Sequence, residues 1–246
     1  MDMSGKVALI TGGGSGIGRA TALVLAQAGA DIIVNDISPE KAEGVAGEVA
    51  DLGRQALPIA ADVADHTSVN TMINQALSNL KKVDILVNNA GIGVEVPFHQ
   101  MTKAEWDQMF AVHIGGTFNC THGLVQQMID RGWGRIISIS SGAGLMGEAG
   151  LVHYSAAKAA ILGFTKALAR ELASHGITVN AVAPGLIDTP LARSIQPETW
   201  EKFVKITPVG HEGRPEDIAH ACAYLASEEA SFVTGQTISP NGGIWM

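Results

Sequence analysis

Cysteine is scarce in this sequence. Only Cys120 and Cys222 occur, far apart and in apolar, helix-like surroundings, so two buried reduced thiols are expected rather than a disulfide framework. Charge is sparse as well: 16% of the 246 residues are charged, the formal net charge is -8, and no run of Lys or Arg occurs. That balance argues against nucleic acid or an anionic membrane as partner. No apolar stretch reaches the ~18 residues needed to cross a bilayer. The start, Met1-Asp2-Met3-Ser4-Gly5-Lys6, has no charged segment followed by an apolar one, so no secretory signal and a cytoplasmic location are expected. Proline-rich linkers, low-complexity tracts and internal periods are missing too. One domain spanning 1–246 is therefore expected, with no metal site.

Apolar residues and glycine are plentiful. Hydrophobic residues make up 46% of the chain, enough for a large core, and 29 glycines suit many tight strand-to-helix turns. Val7–Ile10, Ile32–Val34, Ile85–Val87, Ile136–Ile139, Ile177–Val179 and Thr237–Ile238 read as short strands. Most are apolar without alternation, which predicts strands covered on both faces. Helical patterns fall between them, at Gly16–Ala28, Pro39–Leu52, Ser68–Asn79 and Lys103–Met128. The alternation predicts an α/β, Rossmann-type, doubly wound parallel sheet.

Two helices are apolar over most of their circumference: Tyr154–Ala173, rich in alanine, and Trp106–Met128, with Phe110, Val112, Phe118, Leu124 and Val125. A thick monomer core would explain one such helix, whereas two favour contact between subunits.

The first strand runs into Thr11-Gly12-Gly13-Gly14-Ser15-Gly16-Ile17-Gly18 and then a helix. Glycines there allow a tight turn and close approach of the backbone to a pyrophosphate, whose charge faces the helix N-terminus. An ordinary turn would need only part of this, but a strand before and a helix after make a dinucleotide site the better account. Asp36 closes the second strand, 18 residues beyond Gly18. A carboxylate there accepts both adenosine ribose hydroxyls and repels a 2′-phosphate. Ser15 and Ile37 occupy the positions where a basic residue would greet that phosphate. NAD is thus expected over NADP; the bland alternative for Asp36 is a solvated loop carboxylate.

Further along come Asn88-Asn89-Ala90-Gly91 after the fourth strand, Ser141 after the fifth, Tyr154-Ser155-Ala156-Ala157-Lys158, and Pro184-Gly185 after the sixth. With the glycine loop, this ordered set resembles the short-chain dehydrogenase/reductase superfamily over essentially the whole length. Ser141 precedes Tyr154 by 13 residues, and the tract 134–189 looks most like bacterial 3-oxoacyl-carrier-protein reductases and related secondary-alcohol dehydrogenases.

The resemblance implies Tyr154 as acid/base, Lys158 as the cation that lowers its pKa and bonds the nicotinamide ribose, and Ser141 as the hydroxyl that holds the substrate oxygen. Chemistry agrees: a free phenol titrates near pH ~10, and a lysine four residues on shares its helical face. Ser140, one residue away, is the weaker candidate for the substrate contact. The resemblance also assigns Gly12, Ser15, Gly16, Ile17 and Gly18 to the pyrophosphate side and Asp62 with Val63 to adenine. Asn89, Ala90 and Gly91 go to the ribose, and Pro184, Gly185, Ile187 and Thr189 to the carboxamide. Asn88 and Asn89 would also stabilise the strand-end turn.

Two positions depart from the family pattern. Where an Asn is usual before the fifth strand, this chain has His113; the family uses that residue's main-chain carbonyl to hold a water that continues a proton relay from Lys158. The carbonyl survives substitution, so His113 stays in the expected catalytic set with Ser141, Tyr154 and Lys158. The second departure is Asn241-Gly242-Gly243, where Asp-Gly-Gly is more usual.

Residues 186–207 carry Leu191, Ile195, Trp200 and Phe203 and are expected to form a substrate lid. Their apolar character favours an alicyclic, aromatic or acyl substrate over a sugar. Glu148 and His153 would either add polar contacts or face solvent. The expected function is hydride transfer between NAD(H) and a secondary alcohol or ketone, in a homotetramer by family resemblance. The alternatives are a 3-oxoacyl thioester reductase, a catalytically silent NAD-binding protein, and an epimerase or dehydratase on the same fold.

Overall fold

The computed structural model describes residues 1–246, except for the side chain of Ser194. Seven strands are present: β1 (Val7–Ile10), β2 (Asp31–Asp36), β3 (Ala56–Ala60), β4 (Ile85–Asn88), β5 (Gly134–Ile139), β6 (Ile177–Val182) and β7 (Thr237–Ile238). They pair in the order β3-β2-β1-β4-β5-β6-β7, all parallel. The uninterrupted apolar runs reflect burial on both faces. Ala8 and Ile10 of β1 point into one core layer with Ile32 and Val34, and Val7 and Leu9 into the other with Ile33 and Leu86.

Helices α1 (Gly16–Gln27) and α2 (Pro39–Asp51) cover the first layer. On the second lie α3 (His66–Leu80) and, after a short α4 (Lys103–Phe110), α5 (Gly116–Arg131). Then come the one-and-a-half-turn α6 (Gly142–Met146), the long α7 (Val152–Leu172), which joins the second layer, α8 (Pro197–Ile206), and α9 (Pro215–Ala226), which joins the first. Cys120 and Cys222 are free and buried, one in each layer, and burial pushes both thiols up to about 12. Among the described residues no helix is long and apolar enough to cross a membrane.

The expected helix over Lys103–Met128 is interrupted. Thr102 and Glu105 close a capping box at the start of α4, and the chain then winds through a wider, π-type turn at Ala111–Gly115 before continuing as α5. Such a turn inserts one residue into the helical ladder and re-aims side chains. Here it carries His113. Strand order reverses between β1 and β4, which opens a crevice at their carboxyl ends. Every residue of the candidate site lies along that edge.

Candidate active site

The glycine loop is tied to the end of β4. Thr11 Oγ1 accepts from the backbone N–H groups of Asn89 and Ala90, both at 3.0 Å. The Asn89 amide donates to Thr11 O at 2.9 Å and Gly12 O at 3.0 Å. The Asn89 side chain thus stabilises the strand-end turn; Thr11, notable in the sequence only as part of the glycine motif, is the clamp. Gly12 and Gly16 have φ of +59° and +52°, where a side chain is strained. A Cβ on Gly18 would stand 2.2 Å from Gly12 O, so α1 meets the loop this closely only without one. Ser15 begins α1 without capping it, and the first turn holds no acidic side chain. This cradle of close backbone and an uncapped helix N-terminus fits a pyrophosphate.

Asp36 is buried and held: Oδ2 accepts from Gly14 N–H at 3.1 Å and Oδ1 from Ser38 N–H at 3.1 Å. It is not the free loop carboxylate of the bland alternative. Past the end of β3, Asp62 is exposed and accepts from Ala64 N–H at 2.9 Å. Val63 is buried, and its carbonyl accepts from the Asn119 amide at 2.9 Å.

Ser141, two residues past β5, is the N-cap of α6, its Oγ accepting from Ala143 N–H at 3.2 Å. The same hydroxyl is near enough to the Tyr154 phenol to lower its pKa, so the cap and the approach to the phenol coexist. Ser140 is buried and donates to Lys158 O at 2.8 Å, which anchors α7 to the strand end. Lys158 lies one turn after Tyr154, buried, with Nζ donating to Ile139 O at 2.7 Å and 5.6 Å from the centre of the Tyr154 ring. Burial raises the phenol's pKa above its ordinary value, opposed by the Ser141 hydroxyl. Burial also lowers Lys158 to about 7. Desolvation drives both groups toward neutrality, the direction opposite to the ion pair expected from their spacing.

His113 sits edge-on to Tyr154, with ring centres 5.3 Å apart and planes at 87°. Its Nε2 lies 2.8 Å from Ile92 O and 3.3 Å from Ile92 N, so the backbone of Ile92 holds the ring in place. Gly91 is required beside it, since a Cβ there would stand 2.5 Å from His113 Cε1. The His113 carbonyl accepts from Thr117 Oγ1 at 2.7 Å. Burial, then the charge of Lys158, lowers the imidazole to about 3, so the ring stays neutral. His153, left open by the sequence, is fully buried and therefore does not face solvent.

On the far side of the crevice, Pro184 O accepts from Gly142 N–H at 3.0 Å and Gly185 N–H donates to Pro240 O at 3.0 Å. Ile187 is buried and forms a lone parallel bridge with Gly213. The Thr189 methyl comes within 3.3 Å of where a Cβ on Gly16 would stand, so this segment meets the glycine loop. Leu191 lies over Gly93. Beyond it, Arg193, Ile195, Pro197, Trp200 and Glu201 line a cavity of about 360 Å³.

A doubly wound sheet with a glycine cradle at its switch point and a Ser-Tyr-Lys group beside it defines a dinucleotide-dependent oxidoreductase. The family model for short chain dehydrogenase matches residues 6–200, and the chain belongs to that family. It is 44% identical to nodulation protein G of Azospirillum brasilense over 243 residues, 98% of this chain and 99% of that protein. It is 39% identical to a 3-oxoacyl-(acyl-carrier-protein) reductase of Thermotoga maritima over 244 residues, 99% of each. Among solved structures, 7α-hydroxysteroid dehydrogenase complexed with NADH and 7-oxo glycochenodeoxycholic acid superposes with a TM-score of 0.95. That match has 36% identity and covers 98% of this chain and 95% of that one. The protein is a short-chain dehydrogenase/reductase acting on a carbonyl/alcohol couple with a nicotinamide dinucleotide.

Proposed function

We propose that this enzyme interconverts a secondary alcohol and a ketone with NAD(H), Tyr154 exchanging the proton at the substrate oxygen. The observation that carries this is Lys158, buried one helical turn after Tyr154 with its Nζ 5.6 Å from the centre of the phenol ring, and the Ser141 hydroxyl near enough to act on the phenol's pKa. Bound NAD(H) supplies or accepts the hydride. Ser141 holds the substrate oxygen and Tyr154 donates to it in reduction, or accepts from the hydroxyl in oxidation. Lys158 bonds the nicotinamide ribose and, when protonated, favours the phenolate. The proton continues from Lys158 through a water on the His113 carbonyl, since the imidazole is held neutral.

Gly12, Ser15, Gly16, Ile17 and Gly18 cradle the pyrophosphate; Asp36 takes the adenosine ribose hydroxyls and sets NAD above NADP. Asp62 and Val63 hold adenine, Asn89, Ala90 and Gly91 border the ribose, and Pro184, Gly185, Ile187 and Thr189 hold the carboxamide. Residues 186–207 act as the lid, and four copies assemble in the cytoplasm. The second candidate substrate is a 3-oxoacyl thioester, favoured by full-length similarity to a protein named for that activity.

NADH formation with a panel of cyclic, aryl and 3-hydroxyacyl alcohols separates the two substrate classes. In that assay Tyr154→Phe lowers kcat by ~10²–10⁴ while NADH still binds. Substantial turnover by the folded variant overturns the assignment of Tyr154.

A further inference from the structure

We propose that Trp245, latched in place by Asn241, forms a wall of the substrate site and selects substrates with a flat apolar ring beside the carbonyl. This rests on the alcohol/ketone function above and concerns the same site. Gly142, the residue after Ser141, has no side chain, and the indole uses that space: a Cβ on Gly142 would stand 1.9 Å from Trp245 Cζ2 and 2.1 Å from Cη2. The benzene half of the indole therefore lies against the backbone that presents Ser141, and the residue stays partly exposed.

The tail is tethered by side chains. Trp245 Nε1 donates to Ser239 Oγ at 3.1 Å, and Ser239 Oγ donates in turn to Ala183 O at 2.8 Å. The Asn241 amide donates to Trp245 O at 2.9 Å and Ser239 Oγ at 3.1 Å, while its Oδ1 accepts from Gly243 N–H at 2.7 Å. Asn241 also packs against the backbone of Gly185, whose Cβ would stand 2.8 Å from Asn241 Cα. An aspartate here would keep the bond from Gly243 N–H but has no proton to give to Trp245 O. The departure from Asp-Gly-Gly thus has a physical consequence in this chain: it supplies the donor that holds the tail. An indole face attracts a flat ring by offset or edge contact and buries more of it than of an open chain.

The test compares kcat/KM for NADH-dependent reduction of aryl and alicyclic ketones with that of open-chain ketones of equal carbon number. The variants are Trp245→Ala, Trp245→Phe and Asn241→Asp. Trp245→Ala should lower the ring-to-chain ratio by about tenfold or more, chiefly through KM. Trp245→Phe should restore most of the preference, and Asn241→Asp should shift the ratio the same way by a smaller factor. NADH affinity, followed by fluorescence titration, should not change and reports that the fold is intact. An unchanged ratio in Trp245→Ala, with NADH bound and turnover present, overturns this inference alone. A parent enzyme that binds NADH but reduces no member of the panel overturns the alcohol/ketone function and this inference together.

Discussion

The Asp36 carboxylate accepts from backbone amides on both sides, Gly14 and Ser38, so it is held in one orientation. Lys41 stands close by, with its Cβ 2.5 Å from where a Cβ on Gly14 would be. These two side chains pull in opposite directions on a 2′-phosphate. The carboxylate is the better placed, because it is fixed by two hydrogen bonds while the lysine is exposed on a long flexible stem. We expect kcat/KM to favour NAD over NADP by at least ~10-fold, and Asp36→Ala to narrow the gap by removing the repulsion and leaving Lys41 unopposed. Steady-state kinetics with both cofactors check this, and equal efficiency in the parent enzyme would sink it.

At the scale of elements, the wide turn at Ala111–Gly115 is where a helical pattern gives way to the needs of the site. It points the His113 ring at Tyr154 and Gly91, and it leaves the His113 carbonyl bonded by the Thr117 hydroxyl. A carbonyl has two lone pairs, so a water can share it. Substituting the usual residue, His113→Asn, should therefore leave turnover within roughly tenfold of the parent, with no inflection near pH ~6.5 lost from the pH–rate profile. Stability should respond instead. The imidazole titrates at an ordinary 6.5 when unfolded and at about 3 in the folded protein. Between those values the unfolded chain holds a proton that the folded one does not, so stability falls as pH drops through that window. The Asn variant lacks this contribution, and its Tm should decline less steeply with acid. A Tm series for both proteins, with pH–rate profiles on one good substrate, decides the matter; loss of a kinetic inflection near pH ~6.5 would assign the proton transfer to the imidazole.

For the whole molecule, the two over-apolar helices resolve into different faces. The inner face of α7 (His153, Ala157, Ile161, Thr165, Ala169, Leu172) is buried in the subunit, while Ala159, Gly163 and Ala167 lie on its exposed side. Phe118 on α5 is exposed and stacked on His122, 5.2 Å between ring centres. Small residues on α7 and an exposed aromatic on α5 suit close contact with a second copy. We expect a homotetramer, with a dimer as the lesser assembly. Light scattering should give about four times the 25.6 kDa subunit mass at micromolar concentration; a monomer would refute it.

Local pattern was enough for much of this protein. Apolar runs without alternation marked strands buried on both faces, and most expected helices end within two residues of their true bounds. The glycine loop, Asp36 and the Tyr154–Lys158 spacing could be read directly, because each depends on neighbours in the chain or on one strand-to-helix junction. Other features depend on packing between distant segments, which periodicity does not encode. The break at Ala111–Gly115 belongs here, and so do the Asn89 amide on the glycine loop and the turn of Lys158 toward Ile139 O. The burial of His153 and the seating of Trp245 on Gly142 belong here too. In each case a side chain is satisfied by a backbone group, or a glycine's empty space, that only the folded chain brings within reach.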